Sequence, residues 1–392
     1  AAVHANRKVN HLYGYPTALE NTLTVNDLKQ YYATYGAESS FASYFSDKGK
    51  WNYAFDGKFS RMEDRIGASE NSALFMSKWK HYYNTELITI DAGVDYNNYK
   101  GYSVLDSSST RAESFIVSLN PSIKTTTDKL KAEVGLAMFS EIQKTEKFYF
   151  KPRAEASYNL IEEVLMPYAG MSGGVERTSL HTLATQNPFI ASSIEIKNQI
   201  EKFKLYGGIR GNFSSKIAFN ASAQYRKVEA MPLFVIDVVD FATQPYVVVY
   251  DEVSQLRLSG EASYTLNEQL DVLATGALNT YTTKKQLEAW NLPKVEVNVS
   301  ARYNLRDKWL LNFELFSEMG RRAGNNLNDS VFPVFNEDLG TYVDANLGVE
   351  YRYTKKLSAF VSCTNLAAQR YQKWQNYPVQ SFRALGGVSY TF

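Results

Sequence analysis

Val295-Glu296-Val297-Asn298-Val299-Ser300-Ala301-Arg302-Tyr303-Asn304 alternates without a break, apolar side chains on one parity and polar ones on the other. After the turn Arg306-Asp307-Lys308 the alternation resumes, with Trp309, Leu311, Phe313 and Leu315 set against Asn312 and Glu314. The chain ends in the same way. Phe382, Ala384, Gly386, Val388, Tyr390 and Phe392 share one parity, and Arg383, Ser389 and Thr391 share the other. Successive side chains of a strand point to opposite faces, so a period of two separates an oily face from a wet one. Segments of about 10 such residues, repeated from hairpin to hairpin, are the pattern of strands that cross a bilayer in a β-barrel.

The pattern extends upstream. Trp51, Tyr53, Phe55 and Phe59 alternate with Asn52, Asp56, Lys58 and Ser60, and Val343, Ala345, Leu347, Val349 and Tyr351 with Asp344, Asn346, Glu350 and Arg352. Connections alternate in length too. Asp47-Lys48-Gly49-Lys50, Ser214-Ser215-Lys216, Asn267-Glu268-Gln269, Arg306-Asp307-Lys308 and Thr354-Lys355-Lys356 are short, whereas 100–111, 177–197, 229–245, 282–292, 321–340 and 366–381 are long. Outer-membrane barrels keep short turns on the periplasmic side and long loops outside. That orientation brings Tyr158, Tyr264, Tyr303, Trp309, Tyr351 and Tyr390 together as a periplasmic aromatic girdle on the lipid face. The expected fold is an all-β, antiparallel, up-and-down transmembrane barrel over residues 25–392. It has about eighteen strands, counting one over 25–34 that turns near Tyr35-Gly36; sixteen is the alternative, since 71–83 alternates poorly. Residues 1–24 read as an irregular N-terminal segment. Pro121, Pro152 and Pro167 remove ladder donors and belong at bulges or strand ends.

Composition sets the bounds. The 392 residues carry 42 basic and 41 acidic side chains, which gives no general field for nucleic acid. Aromatic residues make up 14%, in keeping with interfacial girdles. No run of about 18 apolar residues exists, so membrane helices are excluded while barrel strands are not. The single cysteine, Cys363, falls on the apolar series Leu357, Ala359, Val361 and reads as a small lipid-facing residue. No signal peptide is recognisable at residue 1, and the numbered chain is read as a mature or trimmed form.

The residues that could carry function lie on the wet parity. A charge at the bilayer midplane on the lipid face costs about 2–4 kcal/mol, so the charges of that parity are expected to face the lumen. They are Arg153, Glu155, Lys202, Lys204, Arg210, Arg226, Arg257, Glu261, Glu296, Arg302, Glu314, Glu350, Arg352 and Arg383. Their mixed sign suits mutual pairing in a hydrated interior or contacts to a solute or plug. The outer stretch 229–250 is oily, and Leu233, Phe234, Val235 and Ile236 are the candidates there for a protein-partner surface; a strand extended past the bilayer or a loop folded into the lumen would read the same way. His4, His11, His81 and His181 show no metal-ligand spacing, and no cofactor motif occurs. Gly170-Met171-Ser172-Gly173-Gly174 matches a nucleophile elbow in letters, but it lies in an alternating strand where the elbow needs a strand-to-helix turn. No enzyme is expected.

Leu292-Pro293, Asn365-Leu366, Arg370-Tyr371, Tyr377-Pro378 and the closing Gly386–Phe392 segment resemble the last hairpins of TonB-dependent receptors. Val175-Glu176-Arg177 and Gln186-Asn187-Pro188-Phe189 are similar to receptor-like barrels of Bacteroidota. The resemblance implies outer-membrane location in a Gram-negative bacterium, outer-membrane lipid as surroundings, and solute passage or uptake. It also implies a plug domain and TonB as partners where an upstream segment supplies them; neither is visible in residues 1–24, and the ring is narrower than the family's 22 strands. The rival reading is a non-transporting barrel subunit of a larger complex, docked through its outer loops.

Overall fold

The computed structural model describes residues 1–14, 22–47, 49–103, 108–161, 164–238, 245–266, 269–326 and 336–391. Lys48, Asn267, Glu268 and the terminal Phe392 lie outside these residues. The first strands are β1 (Ala2–His11), β2 (Lys29–Ala42), β3 (Asn52–Asp64), β4 (Ser69–Tyr83), β5 (Glu86–Tyr102) and β6 (Ser109–Thr126). Then come β7 (Leu130–Ile142), β8 (Glu146–Tyr158), β9 (Met166–Glu176), β10 (Gln199–Ser214), β11 (Ile217–Ile236) and β12 (Tyr246–Leu266). The wall continues with β13 (Leu270–Thr283), β14 (Val295–Leu305) and β15 (Trp309–Met319). It ends with β18 (Tyr342–Arg352), β19 (Leu357–Thr364) and β22 (Arg383–Tyr390). Outer loops hold the short strands β16 (Arg322–Gly324), β17 (Asn336–Asp338), β20 (Gln372–Trp374) and β21 (Tyr377–Pro378). Two short helices, α1 (Val25–Leu28) and α2 (Leu180–Gln186), complete the elements.

Eighteen strands form one antiparallel sheet, each paired with its neighbours along the chain. The register carries one parity around the wall. Val299 lies opposite Ala274 on β13 and Leu315 on β15, and Leu315 opposite Ala345 on β18. Ser300 lies opposite Glu314, and Glu314 opposite Asn346, on the other parity. A slip by one residue would exchange the two faces of a strand, so the unbroken apolar series fixes the register. The all-β barrel architecture read from the alternation is therefore the one formed, with eighteen strands in its wall.

Two details of that count differ from the sequence reading. Residues 1–24 are not irregular throughout, because Ala2–His11 forms β1 and pairs with β2 from Ala2 opposite Glu38 to His11 opposite Lys29. Arg7 interrupts the apolar parity of Val3, Ala5 and Val9 and hides the strand; its guanidinium lies over the Tyr31 ring, 4.1 Å from the centroid. Nor does the chain turn at Tyr35-Gly36, since β2 runs through it. A Cβ on Gly36 would come within 2.4 Å of the His4 ring on the paired strand, so the glycine makes room for a close neighbour. The poorly alternating 71–83 stretch belongs to β4 and pairs on both sides. Pro121 and Pro152 stand inside β6 and β8. The β6–β7 ladder skips Asn120 and Pro121, as a missing donor requires.

The girdle residues stand at short-turn ends: Tyr158 opposite Leu130, Tyr264 opposite Ile217, Tyr303 opposite Leu270, Trp309 opposite Tyr351, and Tyr390 opposite Leu357. Ser172 of the elbow-like motif sits in β9 opposite Lys204. If the apolar parity meets lipid, Val299→Arg should lower folding stability in bilayers by about 2–4 kcal/mol, while Asn298→Arg changes it by less than about 1 kcal/mol. Denaturant titration in lipid vesicles compares the two, and equal costs would contradict the assignment of faces.

Candidate functional site

Above the wall, the chain covers its own lumen. The 177–198 connection between β9 and β10 leaves the sheet and crosses inward. Ser179 caps α2 reciprocally with Thr182, and the Glu70 carboxylate of β4 accepts the Leu180 and His181 N–H groups. Those donors have no partner within the helix, so a buried acceptor at that point fixes where the helix starts. Leu180, Leu183 and Ala184 are buried by the same placement. Burial keeps the His181 imidazole below its ordinary titration range, with Lys58, Arg177 and His4 adding to the effect, so it is neutral at neutral pH.

Beyond α2 the segment is stitched to one strand after another. Ser192 donates its hydroxyl to Asp64, at the outer end of β3. The other Asp64 oxygen accepts the N–H groups of Ile66, Gly67 and Ala68 at 2.7–2.9 Å. One carboxylate thus shapes the β3–β4 turn and holds the crossing segment. The Tyr99 hydroxyl donates to the Ser192 carbonyl (2.8 Å) and accepts the Ile194 N–H (3.1 Å). Asn198 donates to Ser114 and Glu141, each at 2.8 Å. On the far side, Phe189 and Ala191 hydrogen-bond to the backbone of Tyr246 on β12.

A second strap, 366–381, closes over the first. Its Tyr377 stacks on Phe189 at 3.9 Å, and Trp374 meets Phe234 and Tyr246 edge-on, both at 5.3 Å. Arg321 anchors it from beneath. That side chain is 1% exposed, donates to the Gln372 and Lys373 carbonyls and faces Glu318 at 3.4 Å. The product is an apolar roof over the outer mouth, built from Tyr32, Met62, Leu180, Leu183, Ile190, Ile194, Phe234, Ile236, Tyr246 and Tyr377.

This corrects the reading of Leu233, Phe234, Val235 and Ile236 as an exposed partner surface. All four are buried, at 0–5% exposure. They lie on β11 where it continues past a bulge at Ala230, paired with β12 up to Ile236 opposite Tyr246. Phe234 and Ile236 face the roof, while Leu233 and Val235 pack with Val253 against Trp290 of the 284–294 loop. The stretch is oily because both of its faces are covered.

The charged candidates occupy the polar parity in a chain of contacts. Arg153 reaches Glu133 (3.4 Å), and Glu155 accepts the Tyr206 hydroxyl (2.6 Å). Lys202 pairs with Glu252 and with Glu229 (3.1 Å), Lys204 lies over Tyr206, and Arg210 over Tyr168. Arg226 donates to Gln255, and Arg257 joins Glu296 at 2.7 Å. Glu314 accepts from Asn298 and Asn346. Toward the short turns, Arg302 stands opposite Asp271 and Asn312, Glu261 opposite Asn220 and Thr275, and Glu350 beside Arg352 at 3.2 Å. Arg383 donates to Gln380. Arg257, Glu261, Glu296, Glu314 and Glu318 border one recess of about 660 Å³ on this face. The sequence reading missed Asp64, Glu70, Tyr99 and Arg321, which hold the roof. Their only local signal is a polar group at the outer end of a strand, and the partners they hold in the roof are tens to more than a hundred residues away.

No family model matches the sequence, and no curated protein matches it. Solved structures do. The FrpB iron transporter from Neisseria meningitidis aligns over all of this chain and 68% of its own, with a TM-score of 0.73 and 9% identity. The ferric-catecholate import receptor Fiu from E. coli K12 aligns over 93% of this chain and 65% of its own (TM-score 0.65, 11% identity). The copper transporter OprC aligns over 93% and 66% (TM-score 0.63, 12% identity). The likeness is one of fold, and this chain spans about two thirds of the length of these structures.

Glu70 is the anchor that holds the start of α2. Glu70→Ala, which leaves two helix N–H groups without their acceptor, should destabilise the closed roof by on the order of 3 kcal/mol. In an Ala184→Cys, Cys363→Ser background, thiol labelling from outside the cell is expected to rise at least tenfold with Glu70→Ala. Unchanged labelling would show that the carboxylate does not hold α2.

Proposed function

We propose that this chain forms a barrel of TonB-dependent receptor type in the outer membrane of a Gram-negative bacterium. There it mediates uptake of a solute through a lumen gated at its outer mouth. The observation that carries this reading is a wide wall, polar on its inner face, whose mouth is filled by its own 177–198 and 366–381 segments. A barrel of more than about 16 strands encloses more space than its wall side chains fill. A roof hung on hydrogen bonds to Asp64, Glu70, Tyr99 and Arg321 closes that space without welding it shut. The charged wall beneath then has the role of contacting a passing solute or a plug, and TonB is the partner that would drive opening. The likeness in fold to iron and copper transporters supports the same reading. Val175-Glu176-Arg177 and Gln186-Asn187-Pro188-Phe189 favour the Bacteroidota branch.

The reading as a non-transporting subunit drew on an exposed apolar face at Leu233–Ile236. Burial of those residues removes that support.

Replacing 178–197 by a short Gly-Ser linker should open the mouth. Cells carrying the replaced chain in their outer membrane are expected to become at least tenfold more sensitive to a glycopeptide antibiotic too large to cross that membrane unaided. Cells carrying the intact chain are expected to keep their resistance. Equal resistance in both would sink the gated-passage reading.

A further inference from the structure

The outer ends of β5 and β6 work on both sides of the wall. On the inner side the Tyr99 hydroxyl (2.8 Å) and the Tyr102 N–H (3.2 Å) both donate to the Ser192 carbonyl, and the Thr110 and Ser193 hydroxyls share a hydrogen bond of 2.8 Å. These bonds tie both strand ends to the crossing segment. Alternation then turns the neighbouring Lys100 and Arg111 outward, onto the lipid parity. The two stand directly opposite each other in the β5–β6 ladder, and both are exposed.

That face changes character at a sharp line. Phe59, Ala73, Tyr96 and Phe115 form its last apolar row across β3 to β6. The next row outward holds Arg61 and Glu113, and the one after it Glu63, Lys100 and Arg111. Lys100 lies twelve residues past Ile88, the first apolar residue of this face on β5. For strands tilted about 40° that is about 30 Å along the membrane normal, beyond an apolar band about 25 Å tall. The pair therefore stands at the level of the outer-leaflet head groups.

Like charges directly opposite each other in an antiparallel pair repel, and the carboxylates nearby are engaged elsewhere. Glu63 is held by Arg61 (2.6 Å), and Glu113 accepts the Tyr96 hydroxyl (2.7 Å). Among the described residues Lys100 and Arg111 have no ion-pair partner, and neither has Lys144, which borders one recess with Arg111. Near the outer ends of β10 to β13, by contrast, Lys202, Lys227 and Lys284 gather around Glu252. Nor can the β5 and β6 ends splay to relieve the repulsion, because Tyr99, Tyr102 and Thr110 fix them from within.

We propose that Lys100 and Arg111, with Lys144 beside them, bind the phosphate of an anionic lipid in the outer leaflet. A phosphate set between the two side chains accepts from the ammonium and from the guanidinium fork, and so replaces a repulsion with charge-assisted contacts. The site faces lipid, and the apolar row at Tyr96 and Phe115 lies directly beneath it to take acyl chains. That placement selects a lipid head group over a soluble anion. The inference is independent of the transport reading.

The test uses the 392-residue chain in phosphatidylcholine nanodiscs doped with diphosphoryl lipid A or with the same lipid stripped of its phosphates. Native mass spectrometry reads the lipid retained after extraction into detergent, and far-UV circular dichroism checks the fold of each variant. The intact chain is expected to retain the phosphorylated lipid at least tenfold better than the stripped one. Lys100→Gln/Arg111→Gln should abolish that preference, whereas the exchange Lys100→Arg/Arg111→Lys, which keeps both charges, should preserve it. Lys227→Gln/Lys284→Gln should leave the preference unchanged. An undiminished preference in Lys100→Gln/Arg111→Gln overturns the proposal. So does an equal loss from Lys227→Gln/Lys284→Gln, which would mean a diffuse belt of charge. If inorganic phosphate at the lipid's own concentration displaces the lipid, the site serves a soluble anion and the proposal falls.

Discussion

Backbone hydrogen bonding in hydrocarbon is the constraint on which the rest of this structure depends. An unpaired N–H or C=O facing lipid costs several kcal/mol, because no water is present to replace the partner. The chain meets that demand by pairing strands with their sequence neighbours, one register after another, so that the ladders of β2 to β19 are satisfied on both sides. Everything else is arranged around the wall so formed. Side chains are free to sort by face, and most of them do: apolar residues hold one parity, with Arg7 an exception, and charges on the other parity pair as Arg257 does with Glu296.

Width then creates the second problem. A wall of this many strands surrounds more space than its own side chains fill, and the chain answers at the outer mouth. The crossing segment is apolar where it meets the other roof elements and polar where it meets the strands. Several of its buried polar groups are answered in kind, by Asp64 for Ser192, Glu70 for the start of α2, and Glu141 for Asn198. Such a roof is specific in position. It is held by hydrogen bonds to β3, β4, β5, β6, β7 and β12 and by a buried aromatic cluster.

The wall was legible in the sequence because its signal is local and repeated. Val295 to Asn304 declares its faces without any knowledge of the neighbouring strands, and the girdle tyrosines fall at strand ends once short and long connections are told apart. β1 was not legible: Arg7 sits on the apolar parity, and the Tyr31 ring that accommodates it belongs to another strand. The roof was legible only as composition. Oily residues at Leu233–Ile236 suggested a surface for a partner, and the partner is the chain's own 177–198, 284–294 and 366–381 segments. Buried carboxylates such as Glu70 look like ordinary wet-face residues until a segment more than a hundred residues away reaches them. Alternation reports what one strand needs; it carries no information on what fills the space a ring encloses.

The division of faces is tested most directly by spin labels placed one at a time along residues 295–305 in outer-membrane lipid. Collision with oxygen, which concentrates in lipid, should peak at 295, 297, 299 and 301, and collision with a water-soluble nickel complex at 296, 298, 300 and 302. Profiles that rise and fall together, or that lack a period of two, would contradict a transmembrane wall with a wet interior.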